Sequence, residues 1–294
     1  SDRFVVYNGA DVRFTEGLVC SPVEIKRQME DVPEGPQAPG PQNCRPLELE
    51  IAIANDYPMV QKYGSVAATI IHNIGLMNNA QANWDDEFAR VILFKITAQF
   101  VPASAAADPF PISTSRDVLI FFFRDWANAG GFGAGVIFDL GHWRSPRKIF
   151  NPANQQIAGA AFKDHVCTDL RYAIFSETGT NNQSLSACQL RTTVSHEMGH
   201  SFNAAHILTP GGDIMQPVLS CSDVWHPISI AEIDARIATA TCLSPSNCTA
   251  QAPGLPPSLA FICTPDEECF TFTAPCVGGY YVSTNDPNLQ VTTS

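Results

Sequence analysis

No stretch of this sequence is long and apolar enough to cross a membrane. The densest hydrophobic run, VLIFFF at Val118–Phe123, falls far short of the roughly 20 residues that a spanning helix needs. Positive charge is scarce as well. Seventeen basic residues against 29 acidic ones leave a formal charge of -12, which repels phosphate backbones and anionic lipid, so neither nucleic acid nor membrane is expected as a partner. The opening SDRFVVYNG lacks the basic and then apolar segments of a signal peptide, so any such leader is expected to have been removed or to lie outside this sequence. Internal repeats are missing too. The ten cysteines are scattered rather than grouped as C-x-x-C pairs, and even Cys263, Cys269 and Cys276 are too loosely spaced for a zinc knuckle. Their even number reads as disulfides, which places the chain in an oxidising compartment and predicts a secreted, extracellular protein.

At 294 residues the chain can bury one large core or two moderate ones. A hydrophobic content of 45% and an aromatic content of 10% suit a globular fold and not a disordered chain. Residues 1–43 form an N-terminal extension that ends in VPEGPQAPGPQN, a linker by its proline and glycine content. Residues 44–245 alternate strand-like and helix-like segments. Residues 246–294 make a cysteine-containing tail, read as the start of an accessory domain.

In the middle zone, LELEIAIAND (Leu47–Asp56) has strand composition, and Asp56 follows as an N-cap with Pro58 in the first turn. Met59, Tyr63, Val66, Ile70, Ile74 and Met77 recur at helical spacing, which predicts one long helix with that face buried. VILFKITAQF (Val91–Phe100) alternates, placing Ile92, Phe94, Ile96, Ala98 and Phe100 on one side of a half-buried strand. A second helix is expected from Ser115 through DVLIFFFRDWANAG. GVIFDL (Gly135–Leu140), GAAF (Gly159–Phe162) and YAIFSE (Tyr172–Glu177) bring the strands to about five. This order predicts an α/β (α+β) fold, a sheet layered with helices. GGFGAG (Gly130–Gly135) leaves a helix and enters a strand, the reverse of a phosphate loop, and reads as a turn. His72, His142, His165 and His226 have no second ligand four residues on and read as surface or hydrogen-bonded side chains.

SHEMGHSFNAAHI (Ser195–Ile207) is different. If Leu190 to about Phe202 is helical, His196 and His200 lie one turn apart on the same face and can reach one ion. Glu197 stands beside the first of them, placed to take a proton from water at a metal. For His206 to come back to the same point, the helix must stop and the chain reverse within a few residues. The residue at the reversal needs a positive φ, which glycine adopts most easily and asparagine next. Asn203 is therefore the predicted turning point.

GGDIMQP places Met215 nine positions after His206. His196, Glu197, His200, His206 and Met215 together resemble the zinc motif and Met-turn of the metzincin endopeptidases. Within that superfamily the adamalysin/reprolysin group is most similar: CRPLELEIAIANDYPMVQKYGSVAATI (Cys44–Ile70) resembles its opening strand and helix, and SIAEIDARIATATCL (Ser229–Leu243) its closing helix and cysteine. The resemblance covers roughly residues 44–245. It departs at Asn203, where the motif has glycine, and at Ile207, where that group has aspartate. It implies a two-lobed catalytic domain with a twisted mixed five-stranded sheet and helices. One catalytic Zn2+ would sit in the inter-lobe cleft on His196, His200 and His206, with an open position for water. Glu197 would be the general base for peptide hydrolysis, and Met215 would pack beneath the histidines. It also implies that the strand at Gly159–Phe162 edges the cleft and pairs with extended protein or peptide substrates. QPVLSCSD, after Met215, would wall the pocket for the residue following the scissile bond, and Cys167 would pair with Cys242. A monomer is expected, and room is left for a structural Ca2+.

Cys20 is a candidate latency ligand, since in the metzincins a pro-segment cysteine can fill zinc's open position and a thiolate is a good zinc ligand. The alternative is a disulfide, for instance with Cys44. The dibasic Lys26-Arg27 is a candidate activation site. Two rival readings stand beside the protease: a non-catalytic binding or adhesion module clamped by zinc, and a zinc hydrolase of another amide or ester, such as one on a sugar. Glu197 speaks against the first, because a structural site has no use for an acid beside its first ligand.

Overall fold

The computed structural model describes residues 47–88, 91–209 and 211–245, all within one compact unit that ends at Pro245. Cys20, Lys26-Arg27, the remainder of the extension at 1–43 and the tail at 246–294 lie outside the described residues. The elements run β1 (Leu47–Asn55), α1 (Tyr57–Tyr63), α2 (Val66–Glu87), β2 (Ile92–Phe100), α3 (Arg116–Asn128), β3 (Leu140–Ser145), β4 (Ile149–Phe150), β5 (Gln156–Ile157), β6 (Gly159–Ala161), β7 (Tyr172–Ser176), α4 (Ala187–Ser201), α5 (Pro227–Ile237) and β8 (Ser244–Pro245). The fold is mixed α/β. Its sheet has the order β2-β1-β3-β7-β6, with the short β8 beside the start of β1. The first four strands of that path are parallel, and β6 closes it antiparallel to β7.

Helices cover both faces. Leu49, Ile51 and Ile53 of β1 share one core with Leu76, Met77, Ala80 and Trp84 of α2 and Val194 and Met198 of α4. Ala52 and Ala54, the alternate residues of the same strand, face Ile120 and Phe123 of α3 and the Trp143 ring. A strand buried on both sides reads as a continuous apolar run, which is why IAIA at the end of β1 shows no alternation.

Four expectations about the elements need correction. The long helix is two: Asp56 caps α1 by accepting from the Met59 amide, Gly64 ends it at φ 87°, and Ser65 starts α2 by accepting from the Ala68 amide. Only glycine takes that φ without strain. The buried face of α2 carries Thr69, Asn73, Leu76, Met77, Ala80 and Trp84, whereas Ile74 is 41% exposed. Polar Asn73 can lie inward because its amide donates to Asn55 Oδ1 and Gln99 Oε1. In β2 the register slips between Ile51 and Ala52 of its partner, a bulge that reverses which side points inward. Phe94 and Ile96 therefore join the α2 core, while Ala98 and Phe100 join the α3 core. The strand expected at 135–140 lies instead at Leu140–Ser145, and Ile137 is exposed.

The four lone histidines have separate fates. His72 Nε2 meets Glu177 Oε1 at 2.8 Å, His165 Nδ1 meets Thr168 Oγ1 at 3.2 Å, and His226 caps α5. His142 is neither at the surface nor hydrogen-bonded, a correction to the expectation: it lies fully buried on β3, edge-on to the Phe175 ring. Burial, then the Arg144 charge, holds it neutral, well below the usual imidazole range. The glycine-rich 130–135 segment is a turn.

Candidate metal centre

α4 begins with a capping box in which the Ser186 hydroxyl accepts from the Gln189 amide and the Gln189 side chain accepts from the Ser186 amide. It runs to Ser201, setting His196 and His200 one turn apart. Its end is a Schellman turn. The Asn203 amide donates to the His200 carbonyl at 2.9 Å and the Ala204 amide to the Gly199 carbonyl at 2.8 Å, with Asn203 at φ 75°. Asn203 is thus the turning residue that the sequence predicts. The chain that leaves it is held by Glu232 of α5, which accepts from the Ala205 amide, and His206 follows at once.

The three imidazoles converge. His196, His200 and His206 bring their Nε2 atoms to 3.0, 3.2 and 3.1 Å from one another. Three nitrogens bound tetrahedrally at zinc's usual bond length stand about 3.3 Å apart, so the triad is within about 0.3 Å of that geometry. Proton positions strengthen the fit. His196 Nδ1 lies 2.6 Å from the Ile214 carbonyl and His200 Nδ1 lies 2.8 Å from the Ala204 carbonyl. A carbonyl only accepts, so each Nδ1 carries the ring proton and each Nε2 presents a lone pair to its neighbours. Burial, with His206 nearby, pushes His196 down to about 3, and burial with the other two rings holds His200 well below its ordinary value. Converging lone pairs on neutral rings repel unless a cation lies among them, and a proton is disfavoured. Three such atoms, this close together, can hold a metal ion.

Glu197 is fully buried next to His196. A Cβ built on Gly159 would stand 2.6 Å from Glu197 Oε1, so the missing side chain on β6 is what lets this carboxylate lie against the sheet edge. Gly199 does the same on the other side of α4: a Cβ there would meet Met215 Sδ at 2.6 Å. Met215 is fully buried in this position, and its carbonyl accepts from the Ile207 amide, which ties the segment after His206 to the segment that orients His196. Residues 216–223 run along α4, where the Ser222 carbonyl accepts from Thr192 Oγ1 and Arg191 Nη2.

Two disulfides brace this region. Cys167–Cys242, the pairing implied by the resemblance, joins the loop after β6 to the chain beyond α5. Cys188–Cys221 fastens the first turn of α4 to the segment after Met215. That second pairing, the Ile214 and Ala204 carbonyls and the role of Gly159 were not read from the sequence. The first is one of many pairings open to ten cysteines, and backbone carbonyls leave no trace in residue type. Two disulfides fit an oxidising environment, and among the described residues no helix is long and apolar enough to cross a membrane.

No family model and no curated protein matches this chain. A solved structure described as "Structure of a chaperone-substrate complex" matches with a TM-score of 0.47 and 10% identity, over 67% of this chain and 35% of that one. The chain thus spans about a third of that protein's length, and a likeness so slight has no bearing on function.

Proposed function

We propose that the chain is a secreted, zinc-dependent endopeptidase of the metzincin type, closest to the adamalysin/reprolysin group, cutting peptide bonds in extended protein substrates. The observation that carries this reading is the convergence of three Nε2 atoms with a buried carboxylate on the residue after the first of those histidines. Zinc held there supplies Lewis acidity and lowers the pKa of water to about 7. Glu197 takes the proton from the attacking water and delivers it to the leaving amine, a shuttle a carboxylate can perform in both directions. β6 is the last strand of its sheet, and Gly159 puts its backbone directly beside Glu197. An extended peptide added to that edge would have its backbone registered by main-chain hydrogen bonds. Met215, packed against Gly199, would support the histidines from below, and residues 216–223 would wall the pocket for the residue after the cut.

The test is to incubate the zinc-loaded protein with a diverse mixture of unfolded peptides, with and without chelator, and to identify products by mass spectrometry. Cuts that disappear with chelator are expected. If neither this protein nor its Cys20→Ala variant cuts any peptide while each carries one zinc, the endopeptidase reading is wrong.

A further inference from the structure

We propose that Lys163 selects the substrate, receiving an acidic side chain carried one to three residues before the scissile bond. The inference rests on the endopeptidase reading and adds a specificity to it. Lys163 lies two residues beyond β6, and both its flanks are tied to the end of α4: the Asp164 amide donates to the His200 carbonyl at 2.9 Å and the Val166 amide to the Ser201 carbonyl at 3.1 Å. A bond from Arg236 Nε to Asp164 Oδ1 at 2.8 Å and one from Arg236 Nη2 to the Val166 carbonyl at 2.8 Å fix the segment again from α5. The loop is therefore held in place beside the triad.

Asp164, the nearest acid in sequence, is engaged by Arg236. Among the described residues Lys163 has no carboxylate partner and is half-buried. In a chain of net charge -12, a cation beside the candidate centre with no carboxylate partner among the described residues suits an anionic partner from outside.

Direction follows from the sheet. A peptide added antiparallel to β6 runs opposite to it, so its C-terminal part lies towards Ile157 and its N-terminal part towards Phe162 and Lys163. With the scissile bond at Gly159 and Glu197, the lysine meets residues that precede the cut.

The experiment uses peptides cut in the chelator assay, remade with Glu, Gln or Lys at each of the three positions before the cut. Wild type is expected to favour Glu over Gln in kcat/KM by about two- to fivefold at one position, less at high salt, as for a partly exposed ion pair. Lys163→Gln should bring that ratio to about one, and Lys163→Glu should turn it towards the Lys peptide. Fluorescence anisotropy on zinc-loaded Glu197→Gln, with and without Lys163→Gln, should give the same ratio in Kd without turnover. Zinc content and circular dichroism establish that each variant folds, and Lys163→Gln suffices if the Glu variant does not. Cleavage with no Glu preference, or a preference that survives Lys163→Gln, overturns the role of Lys163 alone. No cleavage of any peptide by the zinc-loaded protein or by its zinc-loaded Cys20→Ala variant overturns the endopeptidase reading and this one with it.

Discussion

The histidine triad and the cluster around Glu177 are both buried polar groups on the α2–α4 side of the sheet, yet their charges are arranged oppositely. Glu177 has a side chain 1% exposed, and it gathers unlike partners: Lys62 Nζ at 2.8 Å, His72 Nε2 at 2.8 Å and Tyr63 Oη at 2.7 Å. Burial pushes its carboxyl up, but His72 and Lys62 outweigh this and bring it down to about 2. Fully buried Arg144 adds its charge from β3; burial lowers that guanidinium to about 10 while Glu177 draws it back up. Such a cluster is complete in itself. The triad gathers like partners, three imidazoles with their Nε2 atoms turned on one another, an arrangement that can hold a cation. Self-compensation suits a structural polar core, whereas like groups facing one another suit a site that takes up a cation.

The sharpest break in that comparison is Glu197→Gln. It should lower kcat by about 10²–10⁴-fold, the usual worth of a general base, and leave one zinc per chain by metal analysis. Loss of zinc along with activity would mean that Glu197 holds the site together instead of moving protons. Glu177→Gln should do the reverse, sparing zinc stoichiometry and costing about 3–5 kcal/mol of stability, because it strands Lys62 and Arg144 beside a neutral amide. The pH dependence has a definite sign. A folded pKa near 2, below the ordinary 4.5, means that the contribution is fully present above pH 4.5 and disappears as pH falls through 2. Urea unfolding of both proteins should therefore show a gap that narrows from pH 5 downwards. Chelation should cost less, about 2.7 kcal/mol for protein held at a hundredfold excess of metal over Kd, or roughly 5–10 °C in Tm. An unchanged melting curve would mean the triad needs no cation.

The same contrast explains what the sequence disclosed. The triad was legible because its geometry follows from spacing on one helix and one turn, all local. The Glu177 cluster was not, since its members come from α1, α2, β3 and the end of β7, and nothing within any one segment points to the others. His142 and Arg144 gave β3 a polar appearance, which moved the expected strand five residues too early, onto GVIFDL. Asn73 and Gln81 similarly hid the buried face of α2: Gln81 bonds the Phe94 amide and the Ile92 carbonyl at the edge of β2, contacts that no helical periodicity contains. The bulge in β2 kept the apolar alternation while exchanging the faces it served. By contrast, the break at Gly64-Ser65 was present as a glycine stop beside a serine start and was overridden by the longer apolar pattern.

The smallest effect tests the most local part of the site. At φ 75°, Asn203 can be replaced by glycine with no clash, since glycine takes the left-handed turn more easily. Asn203→Gly should therefore change stability by less than about 1 kcal/mol and leave zinc affinity within a factor of a few. Asn203→Val should cost about 1–2 kcal/mol, since a branched Cβ is disfavoured there. If that strain opens the Schellman turn, the damage reaches further than the turn. The Ala204 carbonyl that orients His200 and the chain that returns His206 both depend on it, so zinc competition titrations should show affinity weakened by about 10-fold or more. Affinity in the valine variant equal to wild type would show that Glu232 and the Met215 segment hold His206 by themselves, and that the turn only permits what the rest of the fold imposes.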